Sequence, residues 1–246
     1  MTLNKNTILA CFLVISFILL SACSSEESAT STEPEIKPTM HWIGHASVKI
    51  KTSEGKVIYI DPWFGESSNY SEPADMVLIS HFHFDHSDIK KVTLKEDTTI
   101  ITPSYDFSEY AVDSDLPGQN ASISGITVSA VAAYNDNHSK ESSTGYVLEF
   151  DGIRLYHAGD TGKIDEMNLL SDKNITYALL GIDGNYNNMN PEEATEAASM
   201  INAQMNIPIH TGAPGVYNEE HVNRFIAENK LVLKEGELIE LELDPQ

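Results

Sequence analysis

Three histidines and an aspartate crowd into the six residues His81-Phe82-His83-Phe84-Asp85-His86, directly after Met76-Val77-Leu78-Ile79 and Ser80. That apolar run is too short and too rich in branched side chains for a helix, and it reads as a buried strand. The cluster therefore begins where a strand gives way to a loop, so its side chains can converge on a point beyond the sheet edge. Packing gives no reason for such a group, because each buried imidazole or carboxylate needs its own partner. A polar loop could carry histidines by chance, but four donors of this type at this density suit zinc better than they suit organic chemistry.

A dinuclear site needs more donors than one loop supplies, and the others should lie at the ends of other strands. Three positions meet that condition. His138 follows the strand-like Val128–Ala133, Asp160 follows Ile153-Arg154-Leu155-Tyr156, and His210 follows Ile207-Pro208-Ile209. Each stands just past an apolar run and beside a small residue that lets backbone come close. Taken singly, each is equally well a loop histidine or a capping aspartate. Their shared placement is what argues for a common point.

The rest of the chain sets the context. Residues 1–22 carry Lys5 and an apolar stretch from Ile8 to Leu20, too short to span a bilayer comfortably, and read as a targeting segment. It ends in Leu20-Ser21-Ala22-Cys23, which resembles a bacterial lipobox and implies cleavage before Cys23, lipidation of its thiol, and an extracytoplasmic protein anchored to the cell membrane. Residues 23–39 are that cysteine and an acidic, Pro-containing tether that cannot bury enough surface to fold. Cys11 is the only other cysteine, so the processed chain has no internal disulfide and no thiolate ligand. The net charge of −22 repels polyphosphate backbones and excludes nucleic acid as an expected partner.

Residues 40–246 read as one domain. Met40 to Thr52 and Val57 to Asp61 are strand-like, and Pro62 stops the second. Further strands are expected at Thr98–Thr102, in two pieces from Asn120 to Ala133, in the hairpin Tyr146–Tyr156 with its Asp151-Gly152 turn, and at Thr176–Ile182. Asn190, Pro191 and the acids Glu192 and Glu193 mark the start of a helix through Ile201. A second helix is expected from Asn218 to Asn229, and strand-like material from Leu231 to Leu243. Strands dominate and helices come late, which fits sheets covered by helices, though periodicity does not select one mixed α/β fold over another.

The motif His81-x-His83-x-Asp85-His86, then His138, Asp160 in Gly-Asp-Thr, and His210, resembles the metallo-β-lactamase superfamily across residues 40–246. Trp42-Ile43-Gly44-His45-Ala46-Ser47 and Asp61-Pro62 are similar to its lactonase-like branch of metal-dependent hydrolases. Tyr134-Asn135, His138 and Gly145-Tyr146 are also similar to a branch of phospholipid phosphodiesterases. The resemblance implies a four-layer αββα sandwich with two zinc ions at one edge. His81, His83 and His138 would hold one ion, Asp85, His86 and His210 the other, and Asp160 would bridge them. A hydroxide shared by the two ions would attack a small ester, lactone or amide, with Asp85 orienting it and passing a proton to the leaving group. The alternatives are a phosphodiesterase acting on lipid or nucleotide head groups, and a metal-binding lipoprotein without turnover.

Other polar residues keep two readings. His45 is a ligand-supporting or a surface turn histidine; Asp61 orients a ligand imidazole or caps its strand. His157 reads as a packed core histidine, and His41 and His221 as surface or helix positions. Tyr186 and its neighbouring asparagines belong to a loop at the pocket rim. Trp63 and Phe64 line the entrance or anchor their own loop.

Overall fold

The apolar runs of this chain are continuous because most of their strands are covered on both faces. The computed structural model describes residues 36–103, 120–123 and 125–245. The expected targeting segment, Cys23 and most of the tether lie outside them. Among the described residues one sheet holds β1 (Thr39–Gly44), β2 (Ser47–Lys51), β3 (Val57–Ile60), β4 (Ala74–Leu78) and β5 (Leu94–Ile101). The other holds β6 (Asn120–Ile123), β7 (Ile126–Val131), β8 (Gly145–Phe150), β9 (Ile153–His157), β10 (Tyr177–Gly181) and β11 (Met205–Ile209). A last strand, β12 (Glu237–Glu240), pairs antiparallel with β1 and completes the first sheet in the order β12-β1-β2-β3-β4-β5. The second sheet runs β11-β10-β9-β8-β7-β6. Both are mixed: β3, β4 and β5 are parallel in one, β9, β10 and β11 in the other, and the remaining pairs are antiparallel.

Alternation along each strand divides the core. Met76 and Leu78 of β4 point between the sheets, where they join Trp42, Ile50 and Ile60 and meet Tyr146, Leu155 and Leu179. Val77 and Ile79 point outward into a second layer with Tyr59 and Tyr70. On β10, Leu179 faces inward and Leu180 faces the helical side. The outer face of the second sheet is covered by a 3-10 run at Asp165–Lys173 and by helices α1 (Pro191–Ile201) and α2 (Glu219–Arg224). The outer face of the first, among the described residues, is closed by 3-10 turns at Ser67–Tyr70 and Ile89–Lys91. This is the expected α/β sandwich.

Helix α1 starts where its caps dictate. The Asn190 side chain accepts from the backbone N–H groups of Glu192 and Glu193, each at 3.0 Å, and Glu193 reaches back to the Asn190 N–H. Its buried face is Ala194, Ala197, Ala198 and Ile201, small enough for close approach to the sheet.

Three expectations change. Helix α2 ends at Arg224 rather than Asn229, because Phe225 turns to extended geometry to bury its ring and the Ile226 N–H bonds to Thr195 Oγ1. The carbonyls of Val222 and Phe225 are satisfied instead by the Lys230 ammonium. The stretch Met40–Thr52 is two strands, broken at His45, whose φ of 53° reverses the chain. Of Leu231–Leu243 only Glu237–Glu240 is a strand, since Leu231 bonds back to Asn206 and Leu233 enters the inter-sheet core.

Candidate metal centre

Strand direction decides where the polar residues gather. His45, Asp61 and the His81–His86 loop follow the C-terminal ends of β1, β3 and β4, while His138, Asp160, Asp183 and His210 follow those of β7, β9, β10 and β11. The pairing within each sheet brings its own ends to one edge, and contacts such as Asp160 with His81 and His86 join the two edges into one. Every sequence-expected donor arrives there.

Asp160 is at the centre. Its Oδ2 lies 3.9 Å from His81 Nε2 and 3.7 Å from His138 Nε2. Its Oδ1 lies 3.4 Å from His86 Nε2 and 3.6 Å from His210 Nε2. One oxygen thus faces each of two imidazole groups. Donor atoms of His81, His83 and His138 form one compact set; those of His45, Asp85, His86 and His210 form another. The ring nitrogens His138 Nε2 and His83 Nδ1 face each other at 3.1 Å. His81 Nε2, His86 Nε2 and His210 Nε2 are buried without a hydrogen-bond partner. Native interiors rarely leave such atoms orphaned, and neutral imidazole nitrogens around a carboxylate are what divalent cations satisfy. The residues fit bound divalent metal.

Burial sets the protonation states to match. Desolvation holds His81 well below the usual histidine range, and lowers His138 and His210 likewise, so all three present neutral nitrogens. Burial alone would raise Asp160, but the imidazoles of His210, His86 and His81 outweigh it and hold the carboxyl well below its ordinary value. Burial would also lower His86, yet Asp160, Asp61 and Asp85 override it and bring His86 to about 9 in the metal-free protein. His86 is thus the exception among these imidazoles, and an ion binding at its Nε2 must displace a proton. Asp85 is lowered against its own desolvation by its bond to His45 and by His86.

A second layer of side chains fixes the first. Asp61 is fully buried and accepts from Ser80 N and Ser80 Oγ at 2.6 Å and from His86 Nδ1 at 2.9 Å. Asp61 therefore orients an imidazole, and the end it caps is that of the neighbouring β4 rather than of its own strand β3. Ser80 Oγ also contacts His81 Nδ1 at 3.0 Å. His45 Nε2 lies 3.2 Å from Asp85 Oδ2, its ring against His210 with centroids 3.6 Å apart. On the other sheet Asn135 Oδ1 meets His138 Nδ1 at 2.9 Å, and the Asn135 amide donates to Asn188, which donates to Asp160 Oδ2 at 2.8 Å. Gly159 fits because its φ is +61° and a Cβ there would come within 2.9 Å of Ser80 Cβ. His157 is a core histidine bonded to the Ala46 carbonyl, as expected, and His221 bonds to the Thr211 carbonyl from α2.

The sequence pattern places Asn188 only in a loop at the pocket rim, without its bond to Asp160, and singles out neither Ser80 nor Asp183. Ser80 looks like an ordinary loop residue. Asp183 follows the buried strand Thr176–Ile182 just as the other donors follow theirs, and that rule would have found it; its Oδ2 lies 3.6 Å from His210 Nδ1.

A family model described as a beta-lactamase superfamily domain matches residues 39–210. The chain belongs to the metallo-β-lactamase superfamily. A UPF0173 metal-dependent hydrolase from Thermococcus onnurineus is 31% identical over 224 residues, spanning 82% of this chain and 99% of the relative. Another, from Methanoregula boonei, is 34% identical over 184 residues, 69% of this chain and 80% of its own. Among solved structures, Igni18, a metallo hydrolase from Ignicoccus hospitalis, matches at a TM-score of 0.71 and 23% identity, covering 84% of this chain and 99% of that one, a likeness of fold. This superfamily member is a metal-dependent hydrolase.

Proposed function

We propose that the protein hydrolyses a small ester, lactone or amide with two zinc ions, on the outer side of a membrane to which Cys23 tethers it. The observation that carries the reading is Asp160, which offers one oxygen to each of two imidazole groups. His81, His83 and His138 would hold one ion, Asp85, His86 and His210 the other, with Asp160 between them. The all-nitrogen and oxygen donor set suits zinc. Two such ions would supply Lewis acidity, lowering the pKa of a shared water to about 7 and polarising a substrate oxygen.

The protein's own groups do the rest. Asp85 is ionised and borders the cavity, where a carboxylate can take a proton from the attacking water and return it to the leaving oxygen or nitrogen. His45, pinned on Asp85 and against the His210 ring, holds that carboxylate at one rotamer. Asp61, through Ser80 and His86, keeps the His81–His86 loop from swinging away from the second sheet. No serine or cysteine nucleophile is required.

Metal analysis of residues 36–246, followed by chromogenic lactones, esters, phosphodiesters and β-lactams, tests this directly. Two zinc ions per chain and turnover of a carboxylic substrate are expected, with D85N losing on the order of 10²–10⁴-fold in kcat, the usual contribution of a positioned acid–base group. A D85N protein that binds both ions and turns over at the wild-type rate would remove Asp85 from the chemistry.

A further inference from the structure

The cavity over the metal centre has about 350 Å³ of room, enough for a small substrate's reacting group and one arm. Its walls divide by chemistry. The floor is the buried Asp85, Asp160, Asp183 and His210, with the more exposed His83 beside them, and no lysine or arginine lines the cavity among the described residues. The mouth carries Phe84 and Tyr186, 69% and 70% exposed, with Pro214 beside them.

Neither aromatic is loose. Phe84 stands edge-on to Trp63 at 5.7 Å, and Trp63 stands edge-on to His45 at 5.3 Å, so the rim is keyed to the centre below. Tyr186 and Asn187 are consecutive non-glycine residues at positive φ, 50° and 62°; asparagine tolerates this region, but at Tyr186 it costs about 1–2 kcal/mol. The turn is held by Gly184 N–H to the Met189 carbonyl and Met189 N–H to the Thr161 carbonyl, 3.0 Å each. An exposed ring kept at a strained position beside a cavity is placed for a ligand.

Resting on the hydrolase reading above, we infer that the substrate's non-reacting arm is uncharged and apolar, an acyl chain or aromatic ring laid between Phe84 and Tyr186. Bound ions would attract the reacting carbonyl whatever the rest of the molecule carries. The lining decides the remainder. Once the ions hold the reacting carbonyl, an anionic arm would meet Asp183 and a chain of net charge −22, with no lysine or arginine among the described lining residues to pair with it. An apolar arm loses water against two aromatic faces at no charge penalty.

The test uses zinc-loaded protein and p-nitrophenyl esters: butyrate and monosuccinate, matched at four carbons, and acetate and octanoate, which differ in chain length. Wild type should favour butyrate over monosuccinate by at least about tenfold in kcat/KM, and the F84A/Y186A double variant should reduce its octanoate-to-acetate ratio by about ten- to hundredfold, the worth of a few methylene contacts in a pocket. Y186R, at an exposed position that tolerates the change, should raise the monosuccinate-to-butyrate ratio at least about fivefold. Quenching of tryptophan fluorescence by benzohydroxamate, absent with the carboxylated analogue, reads the same preference without turnover. Wild-type preference for monosuccinate, or unchanged ratios in both variants, overturns this inference alone. Inactivity of the zinc-loaded protein on every ester and lactone overturns the hydrolase reading, and this inference with it.

Discussion

Replacing Asp61 by asparagine isolates what a carboxylate behind a metal-binding imidazole contributes. The substitution keeps size and shape, and asparagine accepts the positive φ of 46° at this position readily. The oxygen facing Ser80 N is retained. The atom facing Ser80 Oγ and His86 Nδ1, at 2.6 and 2.9 Å, becomes an NH2 group confronting two donors. Ser80 can rotate its hydroxyl. His86 relieves the clash only by moving its proton to Nε2, the nitrogen that must face the ion, so binding there must first restore the other tautomer. Losing one hydrogen bond to a charged acceptor in a fully buried place costs about 1.5–3 kcal/mol, or about ten- to a hundredfold in affinity for the ion on the His86 side. On the proposed two-ion reading, an ion on His81, His83 and His138 would feel the change only through Ser80 Oγ and should weaken less. Competition with a chromophoric chelator at pH 7.5 resolves the two affinities, and urea unfolding of the metal-free protein gives the structural cost separately. If D61N holds both ions with wild-type affinity, Asp61 only caps its strand.

Further outcomes follow from the same geometry. G159A should lose about 2–4 kcal/mol in urea unfolding, because a Cβ needs strained φ and presses on Ser80; wild-type stability would show that the Ser80 loop yields freely. Metal-free protein should be most stable near about pH 6.5 and decline to either side, levelling off only above about pH 9. Below about 6.5 the buried neutral His81, His138 and His210 resist protonation while the unfolded chain accepts it, and above it the stabilisation of charged His86 is lost as pH rises through about 9. A flat thermal-denaturation profile across pH 5–10 would contradict both assignments. Finally, C23A expressed in a bacterium should move the protein from the membrane pellet to the soluble fraction and abolish palmitate labelling; an unchanged distribution would refute lipidation at Cys23.

Much of this was legible because the donors obey a positional rule. His81, Asp160 and His210 each follow an apolar run closely, and a parallel strand array delivers such residues to a common edge. The pairing of Asn188 with Asp160 was hidden, since it depends on the register of β9 beside β10, Leu155 opposite Tyr177, which no local pattern encodes. Helix α2 was overread for a similar reason. The amphipathic pattern continues to Asn229, but Phe225 finds a better burial by leaving the helix, and Lys230 caps the abandoned carbonyls from a distance. His45 and Asp61 keep two readings in the sequence because only the order and direction of the strands put the ends of β1 and β3 on the same sheet edge as the end of β4.

The donors come from both halves of the sandwich: His81, His83, Asp85 and His86 from one sheet, His138, Asp160 and His210 from the other. No fragment of the chain owns a whole set for either ion. Loading with cations is therefore equivalent to riveting two plates along one seam, in a domain that has no disulfide for the purpose. At free metal a thousand times the dissociation constant each rivet adds about 4 kcal/mol against unfolding, so chelation should loosen the whole molecule as well as silence it.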